Sequence, residues 1–400
     1  MTLASQLPLI PPVEARTEAF RVTPWVHHCG RLVARHRALW IRLGNAETRL
    51  RAADIEDIAV ENPVFVCGLA RAGTTILLET LAQHPQLGSH RYRDDPFIFT
   101  PILWNLFLDR LPGADSAPAE RAHADGIKVT ADSPEAFEEV IWMAFFERLH
   151  DPYSSAVLDA GTSCPPFEEF FRDHIRKLLW VRGRPRYLSK ANYDVTRMAY
   201  LLKLFPDARF IVPLREPAAH IASLAKQHRL FSEGERRHPR ALKHMQRIGH
   251  FEFGLDRRPI NVGDGAVSEI LQAFYDGDEV RGLALYWASL HAWLADLLES
   301  DPALRAAVRV VRFEDLCRSP RETLAGIFEH CALPDSTGLV EAAAARMHAP
   351  TYYRTSFTPH DLAVIAELTG DTARRFGYGE NLTASGRSPF SNATTVGRRG

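Results

Sequence analysis

The sequence predicts an α/β fold, a doubly wound and mostly parallel sheet carrying helical insertions. Three observations predict it. Short apolar, β-branched runs recur at Val64–Cys67, Arg209–Leu214 and Val308–Phe313, each too brief for a helix. Helical periodicity follows each of them, and alternation of strand and helix argues for parallel pairing. The composition, 46% hydrophobic and 24% charged over 400 residues, is that of a globular chain with ample material for a core.

Residues 1–60 read as an N-terminal helical extension, with Trp25, Trp40, Ile41 and Leu43 set among arginines, ended by Asn62-Pro63. Val64-Phe65-Val66-Cys67 is apolar throughout, as a strand buried on both faces requires. A glycine-containing turn leads to a helix over Thr74–His84, whose Ile76, Leu77, Leu78 and Leu81 fall at helical spacing before Pro85 stops it. Tyr187-Leu188 reads as a short strand leading to Lys190, and Asp194–Phe205 as a helix. Pro206-Asp207 then turns the chain into the strand Arg209–Leu214, where Pro213 argues against pairing at the end. Pro217 suits the first turn of the next helix. The third strand, Val308–Phe313, precedes a helix from Pro320 to about Cys331. These units form one domain over residues 61–380, with insertions at about 90–180 and 226–290, and residues 381–400 read as a disordered tail.

Within the insertions, a helix is expected over Pro134–Leu149, and its Glu135, Glu138 and Glu139 read as a solvated charged face in preference to a pocket lining. The basic, His-rich stretch 226–258 suits a lid or a flexible surface insertion equally. Phe97, Phe99, Trp104, Phe107, Trp142, Phe145 and Phe146 read as packed core in preference to an apolar ligand site.

Lys plus Arg is 48 and Asp plus Glu 49, a net charge of -1, which speaks against a nucleic-acid partner held by bulk charge. No apolar run approaches the roughly 18 residues of a membrane span. The N-terminus lacks a basic segment, and Pro8, Pro11 and Pro12 interrupt its apolar stretch, so no secretory leader is expected. The five cysteines are scattered without a C-x-x-C pair, which argues against disulfides and against a metal site and favours the cytoplasm. The sequons at Asn381 and Asn392 read as chance matches. A homodimer is the default expectation for assembly.

Gly68-Leu69-Ala70-Arg71-Ala72-Gly73-Thr74-Thr75 has the two-glycine spacing of a phosphate loop between strand and helix, where successive amides and the helix N-terminus cradle anionic oxygens. A nucleoside-triphosphatase loop carries lysine where Thr74 stands, which speaks against an ATP-dependent kinase. The cation sits earlier, at Arg71. The run V-F-V-x-G-x-x-R-x-G-T-T resembles the 5′-phosphosulfate loop of sulfotransferases that use 3′-phosphoadenosine 5′-phosphosulfate (PAPS). Pro206–Pro217 with Ser223 resembles the 3′-phosphate motif of the same family, and Val311–Leu316 with Ser319-Pro320 its late strand-and-turn element. The resemblance implies that Arg71, Ala72, Gly73, Thr74 and Thr75 hold the phosphosulfate and that Arg215 and Ser223 hold the 3′-phosphate, without metal. A bidentate guanidinium with a hydroxyl suits a doubly charged phosphate.

Sulfuryl transfer also needs a base for the acceptor proton. Many cytosolic members resembling this chain take theirs from a Lys-Thr-His segment. Here that segment is Lys190-Ala191-Asn192, so the lysine is present and the histidine is not. Other branches use a carboxylate after the first helix, which points to Asp94 as general base, with Asp95 and His90 as rivals. Lys190 and Arg71 then add positive charge at the transferring group. The acceptor stays open among small molecules, lipids and glycans, and a non-catalytic nucleotide-binding relative is the alternative.

Overall fold

The computed structural model describes residues 17–111, 118–123, 128–335, 338–348 and 357–379. The leader and tail expectations for residues 1–16 and 381–400 lie outside them. The strands are β1 (Val64–Val66), β2 (Leu87–Gly88), β3 (Ala119–Glu120), β4 (Lys128–Val129), β5 (Arg186–Lys190), β6 (Arg209–Leu214) and β7 (Val308–Arg312). Eight helices matter below: α1 (Pro24–Arg35), α2 (Arg37–Leu50), α3 (Thr74–Leu81), α4 (Glu139–Phe145), α5 (Pro165–Arg182), α6 (Pro217–Arg237), α7 (Pro239–Ile248) and α8 (Glu279–Ser300).

Five strands form one sheet in the order β2-β5-β1-β6-β7, parallel at every pairing, while β3 and β4 make a separate antiparallel pair. Side chains alternate across the main sheet. Phe65, Tyr187, Phe210, Val212, Val308 and Val310 enter one buried cluster, and Val64, Val66, Leu188, Ile211 and Val311 enter the other. Both faces are therefore covered, as the continuous apolar runs required. Pro213 remains inside β6, opposite Val311. The Cys67 N–H donates to the Ile211 carbonyl, so Ile211 and, two residues on, Pro213 turn their backbone groups towards β1. β1 has ended there, and the absent proline N–H removes no ladder bond.

The expected helix over Pro134–Leu149 is shorter, running as α4 from Glu139 to Phe145. Residues 131–135 pair instead with 90–93: Tyr92 N–H donates to Ser133 O, Arg93 N–H to Ala131 O, and Glu135 N–H to His90 O at 3.0 Å. The isolated bridge between Arg91 and Pro134 holds Pro134 extended, and the helix starts only beyond it. The helix expected over Asp194–Phe205 is likewise divided, into a 3-10 turn at Asn192–Thr196 and a helix at Met198–Leu204. Of the aromatic group, Phe99 and Trp142 are fully buried, whereas Phe107 is half exposed.

The N-terminal helices share the main core, to which Phe20 and Val33 both contribute. α2 approaches α5 closely at Gly44, where a Cβ would stand 2.7 Å from Phe170 and 2.8 Å from the Phe99 carbonyl. The buried Lys177 ammonium donates to the Gly44 carbonyl at 3.0 Å and pairs with Glu47 at 3.1 Å. In an open helix, glycine to alanine stabilises by about 1 kcal/mol. Here the contact outweighs propensity, and Gly44→Ala is expected to destabilise by about 1–3 kcal/mol, read as a lower urea midpoint.

Candidate functional site

The chain leaves β1 towards β2 on one side of the sheet and leaves β6 towards β7 on the other. The switch point of the topology thus falls between β1 and β6, where open α/β sheets bind ligands at the carboxyl ends of their strands. Register brings Val66 beside both Lys190 and Ile211, so the glycine loop, Lys190 and Arg215 emerge at one edge.

The loop is held from several directions. Gly68 and Gly73 adopt φ of +131° and +107°, a region that favours glycine, and a Cβ at Gly73 would meet the Phe313 ring at 2.9 Å. Arg71 also has positive φ, at 73°. The buried His220 accepts at Nδ1 from the Trp287 indole N–H (3.2 Å), because indole nitrogen only donates. Nε2 must then carry the proton, and it donates to the Ala70 carbonyl at 2.8 Å. Burial pushes the His220 pKa well down and keeps the ring neutral. No side chain caps the N-terminus of α3 at Gly73, which leaves its first-turn amides for another acceptor.

Around the loop stand the residues expected to hold phosphate. Arg71 Nε donates to the buried Ser223 hydroxyl at 3.4 Å, and Arg215 reaches the Arg71 carbonyl at 3.5 Å while lying over the Phe313 ring. Thr74 donates to Asn192 Oδ1 at 3.3 Å, and Asn192 Nδ2 donates to Glu252 at 2.7 Å. Arg121, which sequence reasoning missed, donates to the Thr75 hydroxyl at 3.4 Å. The structure thus brings Arg71, Thr74, Thr75, Lys190, Arg215 and Ser223 to one region.

A cavity of about 440 Å³ opens beside this loop. Arg71, Thr74, Thr75, Lys190 and Asn192 line it, whereas Arg215 and Ser223 do not. Burial lowers the Lys190 pKa, opposed by Glu135 and Glu252 and aided by Arg121 and Arg71. Glu135 and Glu139 line the cavity, and Glu138 is buried against the Tyr187 hydroxyl, so the solvated face expected of these glutamates is not found. The bridge at Pro134 and the Glu135 N–H bond to the His90 carbonyl hold this segment against residues 90–93. Glu139 is held by both Arg197 Nη nitrogens at 2.8 Å and by His150 at 2.6 Å, whereas Glu135 accepts from the Ala136 N–H at 2.7 Å and acts electrostatically on Lys190 and the Tyr92 hydroxyl. The stretch 226–258 is ordered into α6 and α7, and its His244, Met245, Ile248, His250, Glu252 and Phe253 form part of the wall. Residues 19–23, ahead of α1, line it too.

Asp94 is elsewhere. It is 1% exposed, does not line the cavity, and has both carboxylate oxygens occupied. Oδ1 accepts from Arg182 at 2.6 Å and from Asn105 at 3.1 Å; Oδ2 accepts from Arg91 N–H at 2.9 Å, from Arg182, and lies 3.1 Å from His90 Nδ1. His90 is in turn 3.1 Å from His174. Burial alone would raise the Asp94 pKa, but His90 and Arg182 outweigh it and hold it well below the usual carboxylate range. A carboxylate so engaged braces the 90s segment against α5 and has no lone pair left for a substrate proton. Asp95, by contrast, lines the cavity, and burial raises it to about 7.

A phosphate-type loop thus stands at the switch point of a parallel sheet, with cations and carboxylates around the cavity beside it. The sulfotransferase family pattern matches residues 63–257, just under half of the chain. Among solved structures, the chain is similar to sulfotransferase STF9 of Mycobacterium avium (17% identity, 84% of this chain and 81% of that one, TM-score 0.49). It is also similar to sulfotransferase STF1 of Mycobacterium tuberculosis H37Rv (17% identity, 86% and 83%, TM-score 0.42). A sulfotransferase of Alicyclobacillus acidocaldarius is a further match (14% identity, 79% and 96%, TM-score 0.36). No curated protein matches the chain. No helix among the described residues is long and apolar enough to cross a membrane.

Asp94→Asn is expected to cost about 3–5 kcal/mol of stability, because it leaves Arg182 buried without its counter-charge. The Asp94 pKa is lowered by folding, so its contribution is full above the unfolded value of about 3.9 and is lost as the pH falls towards the depressed one. The gap in urea midpoint between wild type and variant should therefore begin to narrow only below about pH 4 and keep narrowing towards the depressed folded value.

Proposed function

We propose that this chain transfers a sulfuryl group from PAPS to a hydroxyl or amine of an acceptor bound in the cavity beside the loop. The observation that carries the reading is the convergence of Arg71, Lys190 and the uncapped N-terminus of α3 on one wall of that cavity, with Arg215 and Ser223 beyond the loop. Such an arrangement fits a donor with two anionic ends. Backbone amides and Arg71 suit the phosphosulfate, while a guanidinium and a hydroxyl suit the 3′-phosphate.

The donor supplies a sulfur to which the acceptor oxygen or nitrogen bonds as the sulfur–phosphate oxygen bond breaks. Arg71 and Lys190 offset the charge that gathers on the departing oxygen, Arg71 as a permanent cation and Lys190 as a short-range ammonium. Thr74, tied through Asn192 to Glu252, fixes the loop against the strand that delivers Lys190. Asn192 cannot take a proton at neutral pH, and its two bonds suit a bracing role.

We assign the general base to Glu135 in place of Asp94. Glu135 lines the cavity, acts on the Lys190 ammonium there, and is oriented by the Ala136 N–H at 2.7 Å. Against a panel of hydroxyl and amine acceptors, Glu135→Gln is expected to slow turnover of every acceptor the wild type uses by about 100-fold or more, with 3′-phosphoadenosine 5′-phosphate affinity kept. Turnover equal to wild type would return the assignment to another carboxylate of the cavity.

Calorimetric titration tests the donor. The bisphosphate is expected to bind in preference to ATP with magnesium, and Arg215→Ala to weaken it by at least about tenfold. Preference for ATP, or binding of neither, would overturn the reading.

A further inference from the structure

The cavity has two chemically distinct ends. At the loop end Lys190 lies among Glu135, Glu252, Arg121 and Arg71. Asp95 marks the other. Asp95, His244 and Ile248 also line a second void of only about 20 Å³, so they form the partition at which the large cavity stops. Among the described residues, Arg247 is the charged group that acts on Asp95. That guanidinium is already committed, donating from Nη1 to the His27 carbonyl at 2.6 Å, from Nη2 to His27 Nδ1 at 3.0 Å, and from Nε to the Lys243 carbonyl at 2.6 Å.

Among the described residues nothing donates a hydrogen bond to the Asp95 carboxyl. His244 beside it is pushed down to about 4 by burial and stays neutral at neutral pH. A carboxyl half out of water, without a donor, is costly unless a partner completes it. Much of the cavity wall is apolar, with Phe20, Val22, Val26, Phe137 and Phe253. The volume, about 440 Å³, falls within the range of small-molecule sites.

We propose that the acceptor is an amphipathic small molecule whose reacting group meets Glu135 and Lys190, whose apolar body follows the cavity wall, and whose far end carries a basic amine received by Asp95. An ammonium supplies the donors this carboxyl lacks, and its charge matches a carboxylate set in an apolar wall. A plain apolar acceptor would leave Asp95 desolvated and unsatisfied in the complex. Specificity would then come from that penalty as much as from the new bond.

The proposal rests on the sulfotransferase reading only for the word acceptor, since its test needs neither donor nor turnover. A homologous series of 4-(ω-aminoalkyl)phenols is titrated into the full chain, each beside the 4-alkylphenol of the same length. At one chain length the amine is expected to bind about tenfold or more tighter, a charge-assisted hydrogen bond's worth. Asp95→Asn should bring that ratio to about one. Asp95→Glu, one methylene longer, should keep the preference and move the best length to a shorter chain. This second variant keeps the test sharp if Asp95→Asn folds poorly. No preference at any length, no binding of either series, or a preference that survives Asp95→Asn would each overturn the proposal. Failure of the bisphosphate titration alone would overturn the donor and leave the amine end intact.

Discussion

The central strand has three residues and no freedom. β1 is paired in parallel on both sides and buried on both faces, so the position of Val66 dictates where Gly68, Lys190 and the end of β6 can be. Every group assigned to the donor stands within about nine residues of the end of that strand or of its two neighbours. A sheet edge built in this way presents backbone amides, a lysine and two arginines with little need for side-chain reorganisation, which is what electrostatic preorganisation requires. The outer helices then act on the site by holding the loop, as His220 does from α6.

A second constraint shapes the acceptor side. The contact of 90–93 with 131–135 is one bridge and a few hydrogen bonds long, yet it fixes the segment that carries Glu135 beside the cavity. It delays α4 and turns Glu135 inward, while leaving Asp94 to be claimed by Arg182 from α5. Two acidic residues that look alike in the chain thereby take opposite roles, one as brace and one at the site. Environment decides between them, as it does wherever neighbouring carboxylates diverge in acidity.

Much of the sheet was legible in the sequence because its signals are local. Val64–Cys67, Arg209–Leu214 and Val308–Phe313 are apolar runs whose length and flanks exclude a helix, and the glycine loop carries its own spacing. β2 was not legible, since two residues have no period. The early start given to α4 followed from Pro134, a good first-turn residue, but a pairing partner some forty residues back overrides that preference. Asp94 could not be judged locally, because Arg182 lies 88 residues away. Arg121 and Glu252 carried no motif. Only the folded arrangement shows that they share a cluster with Lys190.

Trp287, which fixes the tautomer of His220, belongs to α8, and Phe313, which closes the space beside Gly73, follows β7. Both lie beyond residue 257, where the family pattern ends. The recognisable core is therefore not a portable module. Cut out at its sequence boundaries, it would forfeit the sheet's outer strand, the ring that shapes the glycine turn and the anchor that orients the imidazole.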